Sequence, residues 1–491
     1  MRYFGKIISA VALLFMAGAA QANIPAISNI SLTGRDTVNN FLLVQFDITW
    51  EHSWRVTGGV NNWDAAWVFV KYRVDGGNWQ HARLKTTGHI APSGSTIDTP
   101  GDGKGVFIYR NANGTGTFTL VGVQLRWDYG ADGLDDNESD VEVRVLGIEM
   151  VYVPQGSFEL GSGGSEAGHF YKHDGMGTPD KTLTYSVGSE TAITVGAVNG
   201  NLFYDSESTV YPGFVVGDQE GPIPAAFPKG YASFYVMKYE ISQGQYAEFL
   251  NLLTSTQAAT RDPEESTHRY TITGSHPTFT AGAPDRACNF MGWPDGAAYS
   301  DWSGLRPMTE LEYEKASRGT SLPVANEYAW GTTNLHGLAY TITNDGQPHA
   351  TIDAGSGTGN ASYITTGESI NGPVRVGIFA ASIGTPTREE SGATFYGVME
   401  MSGNLWERAV TIGNATGRLF TGTHGDGLLT SSGEADVRTW PPGATAVGAG
   451  FRGGGWKGVS SFLRVSDRHA AAKSYAGLSV YIGFRAVRSA P

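Results

Sequence analysis

A single cysteine, Cys288, stands in the 491 residues, so no intramolecular disulfide is available and no pair of thiols can exchange electrons or share a metal. In RACNFMGW, beside Phe290, Met291 and Trp293, that cysteine reads as a small buried hydrophobe rather than a reactive thiol. Charge is sparse, at 16% of residues, and positive charge is sparser: 34 Lys and Arg against 47 Asp and Glu give a formal net charge of -13. No basic patch reverses that balance, which argues against nucleic acid or an anionic membrane as partner and favours cations. Beyond the N-terminus no apolar run approaches the roughly 20 residues a membrane span needs. G-x-S-x-G, H-E-x-x-H and P-loop patterns are absent, so none of those chemistries is signalled.

What the chain does have is glycine, at 67 residues, with 21 prolines. That composition predicts many turns and coiled segments and few long helices. Hydrophobic residues at 40% and aromatics at 11% suffice for ordinary cores, and the length favours two domains. Residues 1–22 carry Arg2 and Lys6, an apolar run from Ile7 to Ala17 and then Ala20-Gln21-Ala22. This is the pattern of a cleaved signal peptide, so the expected location is secreted, periplasmic or cell-surface.

From residue 23 to 148 short apolar or alternating runs recur: LLVQFDITW, AAWVFVKYRV, GVFIYR, TFTLVGVQLRW and VEVRVLGIEM, divided by turn clusters such as Asp75-Gly76-Gly77-Asn78. They predict an all-β sandwich domain. The acidic stretch Asp128 to Asp140 lacks the spacing of an EF-hand loop and reads as a solvated turn. The last strand runs without a linker into Val151-Tyr152-Val153-Pro154, so the second domain, residues 149–491, should dock rigidly on the first. Segments 161–230 and 331–394 read as polar, glycine-rich insertions. The first holds His169 and His173, whose spacing suits a metal only on a helix that its setting does not favour. Two helices are signalled by capping boxes: Ser242 with Gln245, ahead of Tyr246, Phe249, Leu250 and Leu253, and Thr309 with Glu312, ahead of the stop at Gly319.

The densest chemistry lies in GVMEMSGNLWER, Gly397 to Arg408. Glu400 and Glu407 supply carboxylates, and a bend at Ser402-Gly403-Asn404 can turn carbonyls inward, as a calcium ion with six to eight oxygen ligands requires. The same residues also describe a tight turn with two solvated glutamates.

This stretch resembles the DMSGNVWEW signature of the formylglycine-generating enzyme family, the sulfatase-modifying factors. MVYVPQGSFELGS, FYVMKYEISQGQYAEFL, RPMTELEYEKASRG, FRGGGW and IGFRAVR match further family motifs in order between about Glu149 and Arg488. The resemblance implies an α+β, loop-rich, C-type-lectin-like domain. It implies calcium bound by Glu400, the carbonyls of Gly403 and Leu405, and Glu407, although the family has Asp or Asn in place of Glu400. Another family calcium segment has only Asn360-Ala361 as a weak counterpart.

The family's enzymes use two cysteines five residues apart, and the matching positions here are Gly458 and Leu463. Copper chemistry is therefore not expected, and neither is the iron of the related sulfoxide synthases. The resemblance points to a secreted, non-catalytic binding or structural module. Alternatives are an enzyme, formylglycine-generating or other, that uses unrecognised residues, and a diversified lectin-fold binder. The segment after FRGGGW would then face an extracellular glycan or protein through Trp456, Ser460, Ser461, Phe462, Arg464 and Tyr475, although Trp456 also reads as core and Arg464 as a loop tie.

Overall fold

The computed structural model describes residues 24–135, 140–206 and 214–491. The leader read at 1–22 and part of the acidic turn lie outside them. Eight strands come first: β1 (Ala26–Asp36), β2 (Phe41–Val56), β3 (Asn62–Val74), β4 (Gln80–His81), β5 (Ser95–Asp98), β6 (Val106–Arg110), β7 (Gly114–Trp127) and β8 (Val141–Val153). The sequence located β2, β3, β6, β7 and β8 and missed β1, whose side chains are largely exposed and carry no apolar alternation. Strand β2 alternates half-buried and buried positions, with Val44, Phe46, Ile48 and Trp50 inward. They join Val68, Val70, Val106, Ile108, Leu120, Val123 and Leu125 in one core.

Strand β3 is buried over eleven consecutive residues, because each face meets a different partner. Ala66, Val68 and Val70 face the core just described, whereas Ala65, Trp67 and Phe69 enter a larger core built mainly from later residues. The Trp67 indole donates to the Ser303 carbonyl at 2.9 Å. Lys71 donates to the carbonyls of Trp302 and Gly427, both at 2.7 Å.

The later part adds β9 (Phe234–Met237), β10 (Arg306–Thr309), β11 (Glu407–Val410), β12 (Ala449–Arg452) and β13 (Ala486–Ser489) to the same sheet. Its order is β1-β2-β3-β8-β9-β13-β10-β11-β12, antiparallel throughout except for β10 beside β11. Strand β8 is the join, since Val141 to Val151 pair with β3 and Met150 to Val153 with β9.

Helices are few and short. The longest are α1 (Gln243–Asn251), α2 (Ser255–Arg261), α3 (Trp293–Trp302) and α4 (Glu310–Arg318). Both expected capping boxes form, and Gly319 ends α4 at φ +67°. The sequence did not foresee α2, which has its own Thr254 and Gln257 box, or α3, which is buried almost all round and so shows no amphipathic stripe. No helix among the described residues is long and apolar enough to cross a membrane. The structure is thus mixed α+β, with one large, mostly antiparallel sheet.

Because β8 is shared and β3 is buried on both faces, the strands before residue 150 and the body after it should melt as one cooperative unit. Calorimetry is expected to show a single transition. Trp67→Ala, which empties the joint and orphans the Ser303 carbonyl, should cost about 3–5 kcal/mol and separate the transition into two.

Candidate functional site

The loop from Gly397 to β11 is shaped by left-handed backbone at Glu400 (φ 55°), Gly403 (φ 93°) and Asn404 (φ 61°). At Gly403 a side chain is also sterically excluded, since a Cβ there would lie 2.6 Å from the Ser362 carbonyl oxygen. Asn404 tolerates that conformation and spends its side chain as a brace: Oδ1 accepts from the Val374 amide at 2.9 Å, and Nδ2 donates to Glu240. The other Glu240 oxygen accepts the Leu405 amide at 2.9 Å. Further backbone bonds tie Gly403 to Gly453 and Asn404 to both Ser362 and Trp456.

Neither glutamate of the motif is solvated. Glu400 and Glu407 are 4% and 1% exposed. One Glu400 oxygen accepts the Gly377 amide at 2.8 Å, and one Glu407 oxygen pairs with Arg485 Nε at 2.8 Å. The remaining Oε2 of each is buried without a hydrogen-bond partner. Arg485 also donates to the carbonyls of Met237 and Met399, so one guanidinium faces three buried carboxylates, those of Glu240, Glu400 and Glu407. Burial pushes the Glu400 carboxyl up to about 7 against the pull of Arg485. Burial, followed by the charge of Glu407, pushes Glu240 well above the usual range. Glu407 is raised by burial and held back by Arg485. Three carboxyls thus crowd Arg485, with Arg375 acting on Glu400 as well, and burial favours the protonated form of each; the two orphaned Oε2 atoms are those a hard cation would take if it displaced the protons. Glu240 was not foreseen because it reaches the loop from the FYVMKYE strand end, 160 residues earlier in the chain.

The segment after FRGGGW is only partly a surface. Trp456 is 1% exposed, with its indole bonded to the Val480 carbonyl at 3.0 Å; it is core and offers no face to a ligand. Ser460, Ser461 and Phe462 lie half-buried on a 3-10 turn. The Phe462 ring stacks on His469 at 3.8 Å, and Trp406 lies 5.5 Å from it. Arg464 ties a loop, donating to Asn326 Oδ1 at 2.9 Å. Tyr475 is exposed, and its hydroxyl closes its own loop on the Leu478 carbonyl. Leu463 is fully buried among Tyr328, Trp330, Ala361 and Tyr363, while Gly458 forms a tight turn to Gly455. His469 and Asp467 form a buried pair behind Phe462, which the sequence reading passed over.

Other sequence candidates do not converge. His169 bonds the Glu166 and Lys181 carbonyls, and His173 accepts from the Gly175 amide. Asn360 fastens Tyr340, Gly355 and Glu390. Cys288 is buried, and burial pushes its thiol well up. Asp301, Asp426 and Asp436 bring carboxylate oxygens within 4.8 Å of one another. Both Asp301 oxygens accept amides of the other two residues, however, and so fasten a loop.

Removing Arg485 takes the main counter-charge from three buried acids, leaving Glu400 only the more distant pull of Arg375. An acid whose folded value is raised is bound to its proton more tightly in the folded state, so it favours folding at low pH and opposes it as pH rises through that value. Arg485→Met is therefore expected to lose about 3–5 kcal/mol at pH 8 and to recover much of that near pH 5. Urea titrations at the two pH values check it, and an equal loss at both would refute the charge account.

A sequence family described as "Sulfatase-modifying factor enzyme 1-like domain" matches residues 141–490. The match begins with β8 and takes in the acid cluster, the loop and the segment after FRGGGW. No curated protein matches the chain.

Proposed function

The chain belongs to the sulfatase-modifying factor family through residues 141–490, and on that premise we propose that it is an exported, non-catalytic binding or structural protein whose central loop is held by calcium. The observation that carries this reading is the pair of positions where the family's enzymes have cysteines. Leu463 is packed into an aromatic cluster and Gly458 has no side chain, so neither supplies a nucleophile or a soft metal ligand. Cys288 is no substitute, being buried, unpaired and raised above its ordinary value.

Calcium would be held by Glu400, Glu407 and the carbonyls of Gly403 and Leu405. Supporting this are the orphaned Oε2 atoms of the two glutamates and the crowding of three carboxyls around Arg485. Its role would be structural, to replace the protons of the crowded carboxyls and fix the loop. Each glutamate has one oxygen already engaged, Glu400 with the Gly377 amide and Glu407 with Arg485, and offers its Oε2. A C-type-lectin-like arrangement of residues 149–491 follows from the same premise. The shared core of β2, β3, β6 and β7 supports a sandwich module over residues 23–148. We place recognition of an extracellular glycan or protein on the half-buried turn of Ser460, Ser461 and Phe462 and on exposed Tyr475.

Two measurements test this. Metal that binds only the folded state stabilises it by about 2.7 kcal/mol at a hundredfold excess over Kd. Chelation should accordingly lower the Tm, and an unchanged midpoint with and without calcium rejects the site. The purified protein should also leave a sulfatase-type cysteine peptide unconverted, with or without copper. Aldehyde detected by mass spectrometry above a no-protein control would make it an enzyme.

A further inference from the structure

Seven arginines among the described residues are essentially fully buried: Arg306, Arg318, Arg408, Arg452, Arg468, Arg485 and Arg488. Six of them pair with a carboxylate: Arg306 with Glu312, Arg318 with Glu327, Arg452 with Glu310 and Glu314, Arg468 with Glu310, Arg485 with Glu407, and Arg488 with Asp102. Arg408 is different. Its Nε, Nη1 and Nη2 are all buried and none makes a hydrogen bond. Its guanidinium is flanked instead by aromatic faces, 4.1 Å from the Phe451 ring centre and 5.5 Å from that of Trp293. Such faces attract a cation but accept none of its five N–H groups. Burial lowers its affinity for the proton only to about 9, with the Tyr475 oxygen opposing the fall, so the side chain is charged at neutral pH.

A charged, fully donor-equipped fork left dry is costly unless an acceptor completes it. We propose that Arg408 is the floor of an anion site that takes the carboxylate of a ligand. A planar carboxylate matches the in-plane fork, whose N–H groups point outward from the guanidinium edge and are not taken up by the neighbouring rings. The cover is the loop around Tyr475. The Ala476 and Gly477 carbonyls close on Gly292, next to Trp293; a Cβ at Gly292 would meet them at 2.4 and 3.3 Å. Ser474, Tyr475, Gly477 and Leu478 are exposed, and this loop has no regular secondary structure. Trp406, just ahead of the strand, lies 6.1 Å from the Phe451 ring that meets Arg408 and 5.5 Å from Phe462. The site therefore lies under the face assigned above to recognition, and it gives that face a ligand chemistry: an acidic sugar or an acidic peptide end.

The inference rests on that assignment for the source of the carboxylate but not for the anion itself, so the two fail separately. The probe for the anion is acetate, with phosphate and chloride at equal ionic strength. Acetate should raise the Tm of the wild type saturably and more than chloride or phosphate does, and trifluoroacetate should show saturable broadening of its fluorine signal in the presence of the protein. Arg408→Met should abolish both responses and, in anion-poor buffer, melt no lower than wild type, since an uncompensated buried charge has been removed. If that variant does not fold, Arg408→Lys and the trifluoroacetate titration of the wild type decide. Absence of any saturable carboxylate response in the wild type, or an equal response in a folded Arg408→Met, overturns the proposal. A phosphate response larger than that of acetate overturns the carboxylate. With the acetate response intact, competition by galacturonate oligomers supports an acidic sugar and competition by an acidic peptide supports a peptide end. Competition by neither removes the recognition face as its source.

Discussion

The body of this protein is held by buried arginine–carboxylate pairs. With so little regular structure, the loops cannot satisfy one another's polar groups through long ladders, and side chains must do it. Helix α4 is the hub. Its Glu310, Glu312 and Glu314 are all buried, and each meets an arginine: Glu312 takes Arg306 from β10, Glu310 takes Arg452 and Arg468, and Glu314 takes Arg452 and Arg318. The arginines pass the tie onward, Arg468 to the Gly168 carbonyl, Arg452 to Val465 and Arg318 to Glu159. The pull of the arginines outweighs burial for Glu310 and Glu314, whose carboxyls fall below their ordinary range. Such pairs are weak evidence for net stability, because desolvation offsets most of the attraction, but breaking one leaves a stranded charge. That asymmetry enforces one arrangement of loops that hydrophobic contact alone would leave loose.

How much of this was legible follows from the kind of signal each part carries. The early strands show in the sequence because β2 alternates and β3 carries the apolar run Ala65 to Val70, both local patterns. Capping boxes are local too, and both that were read exist. Helix α3 carries no stripe because it is surrounded, and α4 looks like a surface helix, ELEYEKASR, although every residue of it is buried. Charge in a sequence reads as solvent contact. Only the arrival of Arg452 and Arg468 from over 130 residues away reverses that reading. The same failure explains why Glu400 and Glu407 looked like candidates for a solvated turn, and why Glu240 was not considered.

The surface assigned to recognition was read from motif position, and position does not report burial. Trp456 follows the glycines of FRGGGW, yet the chain turns there so that its amide bonds Asn404 and its indole enters the interior. Phe462, only six residues on, stays near the surface because the intervening Gly458 turn reverses the chain. Leu463 then goes inward, and its carbonyl accepts the Ser402 hydroxyl at 2.6 Å. A buried apolar side chain filling a position that could have held a thiol makes that site part of the frame, and the frame in turn connects the segment to the motif loop.

Strand β11 concentrates the consequence. Successive residues of a strand point to opposite faces, so Glu407 and Arg408 separate two environments within one dipeptide. Beneath Glu407, Arg485 confronts three carboxyls whose burial favours their protonated form. On the other face, the Arg408 guanidinium lies beside two aromatic rings with no acid to meet it. The two sides do not satisfy one another as a buried pair would: the hydrogen bonds of Glu407 go to Arg485, and those of Arg408 go nowhere. Around α4, by contrast, each buried carboxylate meets an arginine. Unpaired groups on both faces of one strand are what a scaffold leaves where ions or ligand groups complete it, and that is the physical reason for proposing both a cation and an anion at β11.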